Sequence, residues 1–205
     1  MARRSDHTRE ELHDMIVATA RGIIVEHGIA RLSTRAIAGA IGYTPGTLYQ
    51  HFKDISEIVL HVNEQTMLGL VEEMAKARST ATDDARGMIH KYADVYLDYV
   101  RSNDNAWDAL FHFRRPSDEF VPEWYLDLIG KLISLVEECF ADLERGNELT
   151  TPLQAAQMTW ASVHSVCSLE GGGRLKMIME RDLETVIHQL VDVHIKAYEC
   201  KSAMC

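Results

Sequence analysis

The sequence predicts an all-α fold of about nine helices. Its 205 residues include only four prolines, and its glycines fall at plausible helix ends. No run of alternating β-branched residues indicates a strand. Hydrophobic residues make up 46% of the chain and charged residues 25%, which is typical of globular proteins. No apolar run approaches the roughly 18 residues that a membrane span needs, so we expect no membrane partner.

The first helix is predicted between Thr8 and Gly28, where apolar residues recur at helical spacing. A long helix opens at Asp54, where Glu57 follows three residues later as in a capping box, and it runs to about Lys76. Further helices are predicted on both sides of Gly42 and over 82–102, 105–112, 122–145, 152–170 and 182–199. Glycines 171–173 break the chain between the last two.

The four cysteines are Cys139, Cys167, Cys200 and Cys205. They show no CxxC spacing, so the sequence indicates neither a disulfide framework nor a zinc site. The basic, polar N-terminus lacks the apolar core of a secretory signal. These features favour the reducing cytoplasm, and no cofactor or metal is expected.

Charge is distributed unevenly along the chain. The net charge of −10 argues against nucleic-acid binding, because phosphates are neutralised by Lys and Arg. Residues 1–55, however, contain seven basic and six acidic side chains, whereas residues 56–205 contain 14 basic and 25 acidic ones. This asymmetry is expected if only the N-terminal quarter meets DNA.

The segment LSTRAIAGAIGYTPGTLYQHF, at 32–52, contains the strongest motif. A helix starts at Ser33 or Thr34, and Gly42 permits the left-handed backbone of a tight turn. Thr44 is a suitable N-cap, and Pro45 is favoured at the first position of the next helix. The segment therefore predicts a helix-turn-helix whose second helix enters a DNA major groove.

The run T-R-A-I-A-x-x-I-G-Y-T-P-G-T-L-Y-x-H-F resembles the DNA-binding domain of the tetracycline-repressor family over about residues 8–60. The resemblance implies that Thr34, Thr44, Tyr49 and His51 contact phosphates. Side-chain chemistry assigns base reading to Arg35, Tyr43, Thr47 and Gln50. Pro45 and Gly46 complete the DNA-facing segment but offer almost nothing to read bases with. Arg3 and Arg4 are expected to reach an adjacent minor groove.

One position departs from the family pattern. A lysine usually follows the phenylalanine by three residues, and Ile55 occupies that place. Lys53 is expected to take over the phosphate contact. With few base-reading side chains in each half-site, specificity is expected to depend on binding as a dimer to a palindrome.

Residues 1–55 are predicted to form the DNA-binding domain and residues 56–205 a helical domain for ligand binding and dimerisation. Aromatic and sulfur-containing side chains cluster in its middle helices and suit an apolar or aromatic ligand. The candidate ligand-binding residues are Met67, Met88, Tyr92, Tyr96, Trp107, Phe111, Trp124, Trp160 and His164. Many of them serve equally well as core, and that alternative stays open.

The run from Thr159 to Glu170 is similar to the W-x-x-x-H-G segment of one C-terminal subgroup, with Ser165 in place of the glycine. Trp160, His164 and Cys167 share one helix face. This face either lines a ligand cavity or packs in the core and dimer interface, and packing is the favoured alternative. The last two helices resemble the family's dimerisation pair. Its candidate interface residues are Leu183, Val186, Ile187, Leu190 and His194.

These features predict a ligand-responsive transcriptional regulator, most simply a repressor that a small molecule releases from its operator. An activator of the same fold and a helical protein-binding adaptor are the alternatives. Catalysis is not expected, because Glu10-x-x-His13 lacks the second motif of a di-iron site. His164 and Cys167 provide only two ligands for a metal.

Overall fold

The computed structural model describes residues 7–112, 121–146, 149–171 and 175–201. This part of the chain contains nine α-helices and no β-strand, which confirms the all-α prediction. The helices are α1 (Arg9–His27), α2 (Thr34–Ile41), α3 (Pro45–Leu48), α4 (Ile55–Thr80), α5 (Ala85–Ser102), α6 (Asp104–His112), α7 (Glu123–Ala141), α8 (Pro152–Gly171) and α9 (Leu183–Glu199). Arg3, Arg4, Gly172, Gly173 and Cys205 lie outside the described residues.

The largest differences from the predicted bounds occur at the ends of two helices. The long helix α4 continues to Thr80 rather than ending near Lys76, because neither glycine nor proline interrupts the intervening residues. Helix α7 ends at Ala141, four residues before the predicted end. The chain then turns so that the Gly146 N–H donates to the Tyr198 carbonyl at 3.0 Å. A β-carbon on Gly146 would overlap the backbone of Glu199, so the turn requires glycine.

The first compact unit comprises Met1–Met67 and Asn103–Val121. Helix α1 begins with a capping box, in which the Glu11 N–H donates to the Thr8 hydroxyl and the Thr8 N–H donates to the Glu11 carboxylate. It ends at Gly28, whose φ of +78° favours glycine. Side chains from α1 to α4 and from α6 form one hydrophobic core, which includes Ile16 and Ile37.

The second compact unit comprises Leu68–Ser102 and Pro122–Cys205. Helix α8 packs against both α7 and α9, and α5 packs against α7 and α9. Phe140 of α7 is fully buried and meets the edge of Tyr198 of α9 at 5.3 Å between ring centroids. Asp182 caps α9 by accepting a hydrogen bond from the Thr185 N–H.

The two compact units do not coincide with the predicted domain boundary after residue 55. By internal packing, residues 56–67 and α6 belong to the first unit. The predicted boundary separates a DNA-binding domain from a ligand-binding domain, and that division of roles stays a prediction. Among the described residues, no helix is both long enough and apolar enough to cross a membrane.

Candidate DNA-binding surface and ligand cavity

The predicted helix-turn-helix corresponds to α2 and α3. The Ser33 hydroxyl caps α2 by accepting a hydrogen bond from the Ala36 N–H at 3.1 Å. Helix α2 ends at Gly42, which adopts the left-handed conformation with φ of +75°. Pro45 occupies the first turn of α3. Thr44 precedes it without capping the helix, because its hydroxyl lies 3.1 Å from the Thr47 hydroxyl instead.

Most predicted DNA-contacting side chains reach the surface of this unit. Those classed as exposed are Arg35, Thr44, Gly46, Tyr49, Gln50 and Lys53, and those that are half-buried are Thr34, Tyr43, Pro45 and His51. The surface that these ten residues form is called the α2–α3 surface below. Its composition, with one arginine and one lysine, fits the small net charge of the N-terminal sequence.

Thr47 does not fit its predicted role in base reading. Its side chain is only 5% exposed, and its hydroxyl lies next to that of Thr44. A methyl group held inside the unit cannot meet the methyl group of a thymine. Spacing along α3 did not reveal this, because a four-residue helix leaves the orientation of each side chain to the surrounding core.

Tyr49 and Phe52 have opposite environments. Tyr49 is 55% exposed, whereas Phe52 is 3% exposed within the core. Tyr49 therefore does not share the buried environment of Phe52. Tyr43 differs from both, because its hydroxyl is 2.9 Å from Nδ1 of His7, just ahead of α1.

His51 lies at the inner edge of the α2–α3 surface. Its Nδ1 is buried and has no hydrogen-bond partner in the described part of the chain. Burial lowers the pKa of His51, and the nearby basic groups of Arg9 and His13 add to this effect. A neutral imidazole at pH 7 offers phosphate a single N–H donor and no charge. Lys53 is exposed, while Ile55, which stands in the usual lysine position, is half-buried at the start of α4.

The second unit contains a small apolar cavity among α4, α5, α7 and α8. Its volume is about 30 Å³, enough for one or two water molecules. The lining residues are Leu70, Met74, Ile89, Tyr92, Ala93, Tyr96, Leu132, Val136, Thr159, Trp160 and Val163. A drug-sized ligand needs several hundred cubic ångströms, so its entry requires side chains to move apart.

Tyr96 lines this cavity and is hydrogen-bonded to polar side chains outside it. The Tyr96 hydroxyl is 2.7 Å from His164 Nδ1, and Nε2 of the same ring is 3.2 Å from the Ser168 hydroxyl. Burial raises the pKa of Tyr96, so the hydroxyl keeps its proton at neutral pH. Trp160 stacks on His164 with an interplanar angle of 8° and 5.2 Å between ring centroids. His164 thus contacts two aromatic side chains that line the cavity, Tyr96 and Trp160.

The nine predicted ligand-binding residues fall into separate environments. Tyr92, Tyr96 and Trp160 line the cavity, and His164 supports Tyr96 from behind. Met88 is buried but does not line the cavity, and Trp124 is exposed on α7. Met67 and Trp107 belong to the first unit. The side chain of Phe111 lies outside the described residues, so its predicted role is not addressed.

The aliphatic part of the cavity wall was missed by sequence reasoning. Leu70 and Met74 come from α4, Leu132 and Val136 from α7, and Val163 from α8. Each occupies an ordinary helical core position, and helical spacing cannot distinguish a cavity wall from close packing. Thr159 was also missed, although a buried threonine whose hydroxyl donates to the Ala155 carbonyl leaves no pattern in the sequence.

Three of the five predicted dimer residues are buried within their own protomer. Leu183, Val186 and Ile187 belong to the core of the second unit. Leu190 is half-buried, and His194 Nε2 lies 2.9 Å from the Ser162 hydroxyl on α8. Burial lowers the pKa of His194. The helical spacing of these residues was interpreted as a dimer interface, but it also arises from packing of α9 against other helices of the same protomer.

In the ranges that the structure describes, no three His, Cys, Asp or Glu side chains are grouped so that they could hold a metal ion. The Glu10-x-x-His13 pair belongs to α1, where His13 Nδ1 is 3.2 Å from the Asp14 carboxylate. His13 stacks on Phe52 with 4.6 Å between ring centroids. These contacts give His13 a packing role.

An exposed helix-turn-helix in one unit and a cavity-bearing helical unit in the same chain define a helical DNA-binding regulator. Residues 16–62 match the family described as "Bacterial regulatory proteins, tetR family". Residues 89–194 match the family described as "Tetracyclin repressor-like, C-terminal domain". Together these matches show that the chain belongs to the TetR family of transcriptional regulators.

Solved structures share this fold at low sequence identity. A protein of unknown function from Rhodococcus sp. RHA1 has a TM-score of 0.73 and 17% identity, with 97% of this chain and 100% of that chain covered. Thermus thermophilus FadR, a TetR-family repressor in complex with lauroyl-CoA, has a TM-score of 0.68 and 13% identity, with 94% and 98% covered. RolR in complex with resorcinol has a TM-score of 0.66 and 12% identity, with 95% and 91% covered.

Proposed function

We propose that this chain is a repressor that binds a palindromic operator through the α2–α3 surface of two protomers. A small apolar or aromatic molecule, bound in the cavity of the second unit, releases it from DNA. Structural relatives crystallised with lauroyl-CoA and with resorcinol support a small-molecule effector. The cavity wall of Tyr92, Tyr96 and Trp160 supports the apolar or aromatic class.

The exposure of Tyr49 is the observation that carries the DNA-binding part of this proposal. More than half of this large aromatic side chain is exposed to solvent beside the helix-turn-helix. Arg35, Gln50 and Lys53 are exposed with it. A phenol hydroxyl donates well to a phosphate, and Arg and Gln are the side chains that best recognise guanine and adenine.

The homodimer is proposed to form through the outer surface of α8 and α9. Met158 is 54% exposed on α8, and Val193 is 61% exposed on α9. Between them, the bond between Ser162 and His194 joins the two helices. Ala161 and Ser165 on the same side of α8 are exposed and small, which permits close approach of a second helix. This surface lies beside the interface residues that the sequence predicted on α9. Of these, Leu190 is half-buried.

The proposed switch uses helix α4. Leu70 and Met74 of α4 line the cavity, and the first residues of the same helix belong to the DNA-binding unit. Because the cavity is small, a ligand displaces these side chains on entering and shifts the C-terminal half of α4. Because α4 is shared with the DNA-binding unit, this shift is proposed to change the separation of the two α3 helices in the dimer. Operator half-sites recur about 34–36 Å apart, so the two protomers can then no longer dock at the same time. The ligand only has to bind the DNA-incompetent state more tightly.

The salt dependence of duplex binding tests the DNA-binding proposal. Each phosphate that the protein neutralises contributes about −0.9 to the slope of log K against log salt, so about four contacts per dimer weaken binding roughly a hundred-fold between 50 and 200 mM salt. We expect this steep fall in a gel-shift titration. Lys53→Gln should reduce the slope by about one per protomer. A flat response would exclude phosphate contacts by the α2–α3 surface.

A further inference from the structure

Arg78 lies on α4, one helical turn beyond a residue that lines the cavity. It follows Met74 by one turn on α4, and its Nη1 is 3.8 Å from Sγ of Cys139. Cys139 in turn follows Val136 by one turn on α7, and both Met74 and Val136 line the cavity. The guanidinium group therefore lies beside a fully buried thiol, one turn beyond the cavity-lining Val136.

The charge of Arg78 acts on two neighbouring side chains, Tyr92 and Cys139. Burial raises the pKa of Tyr92, a lining residue, to about 12, and the positive charge of Arg78 opposes the shift. Arg78 also opposes the rise in the pKa of Cys139 that burial causes. The carboxylates of Glu138 and Asp142 act on Cys139 in the opposite direction and more weakly. Arg78 is thus the strongest single charge acting on Cys139.

Arg78 differs in its pairing from Arg86 and Arg101, two other arginines of the second unit. Arg86 is bonded to Glu199 and Arg101 to Glu184, the latter at 2.8 Å. Across the described residues, no carboxylate lies within ion-pair distance of the Arg78 guanidinium. Arg78 is exposed, so an anion that meets it keeps part of its hydration and avoids the full cost of burial.

We propose that the cavity takes an apolar monocarboxylic acid, with its carboxylate on the Arg78 guanidinium and its hydrocarbon or aromatic body between Tyr92, Tyr96 and Val136. This inference rests on the proposed effector role of the cavity and specifies the ligand class. A guanidinium pairs with a carboxylate through two parallel hydrogen bonds, and this geometry gives both affinity and orientation. The apolar wall holds the rest of the molecule.

Calorimetric titration with octanoate and 1-octanol tests the inference, because the two probes share a chain and differ in the head group. We expect the wild-type chain to bind octanoate at least about ten-fold more tightly than 1-octanol, which is the effect of a charge-assisted hydrogen bond. Arg78→Gln should abolish this preference and leave 1-octanol binding unchanged. Arg145→Gln removes an exposed arginine of the same unit and should change neither affinity.

A second pair of probes, 4-phenylbutyrate and 4-phenylbutanol, extends the same comparison to an aromatic body. Equal affinity for acid and alcohol in both pairs, equal losses of both in Arg78→Gln, or no binding of either acid would each overturn the inference. The proposed function fails on a different result. It fails if no cavity-bound compound, acidic or neutral, changes the affinity of the wild-type chain for DNA.

Discussion

Arg35→Ala should reduce the affinity of the dimer for its operator at least about thirty-fold. An arginine bonded to guanine contributes about 1–3 kcal/mol of discrimination, and a dimer loses two such contacts. Arg35 is exposed on α2, so its replacement removes no core packing. The measurement is a gel-shift titration with the operator and with an unrelated duplex of equal length.

Arg31→Ala provides the matched control, because it removes the same charge from an exposed position just before α2. We expect this variant to weaken binding to both duplexes slightly and equally. In Arg35→Ala, the loss should fall mainly on the operator. An equal loss on both duplexes would assign Arg35 to the phosphate backbone, and no loss would remove it from the interface.

Under the proposed function, Ala93→Leu should raise the effector concentration that releases the chain from DNA. Ala93 lines the cavity from α5, and a leucine side chain fills much of the 30 Å³ that is open there. Overpacking costs about 1–3 kcal/mol of the free energy of unfolding, so the fold should survive. Operator affinity without effector is expected to match that of the wild-type chain. The readout is the effector concentration that releases half of the DNA.

Val163→Leu fills the same cavity from α8 and serves as an independent variant. Both substitutions should raise the releasing concentration by at least about ten-fold if the effector loses the volume it needs. Thermal unfolding of each variant separates this effect from a loss of folded protein. An unchanged effector response in two folded variants would place the effector outside this cavity.

The sequence predicted the helix-turn-helix well because its information is local. Gly42 permits a left-handed turn, Pro45 starts a helix, and Ser33 caps one wherever these residues stand at this spacing. The burial of Thr47 was not predictable in the same way. It depends on how α3 meets the core, which is set by residues distant in sequence.

The ligand cavity was predictable only in part for a related reason. Aromatic residues such as Tyr92 and Trp160 are conspicuous, and both line the cavity. Leu70 and Val136 look like any other core positions until four helices are packed together. The sequence does not single out Arg78 either, because only the fold brings it to Cys139.

The dimer residues illustrate the limit of periodicity. Ile187 and Val186 recur at helical spacing, and that spacing shows that one face of α9 is apolar without showing what covers it. In the structure, the protomer's own helices cover these two residues. The exposed Val193, which periodicity did not single out, lies on the outer surface proposed for the partner.

Selection of bound sequences from a random pool of duplexes tests the central claim most directly. The claim is that two copies of the α2–α3 surface bind DNA together. The selected sequences should therefore contain an inverted repeat whose half-sites are centred about one helical turn apart, or a multiple of it. Enrichment of a single unrepeated site would contradict the dimeric arrangement. No enrichment at all would contradict the assignment of this chain as a sequence-specific DNA-binding repressor.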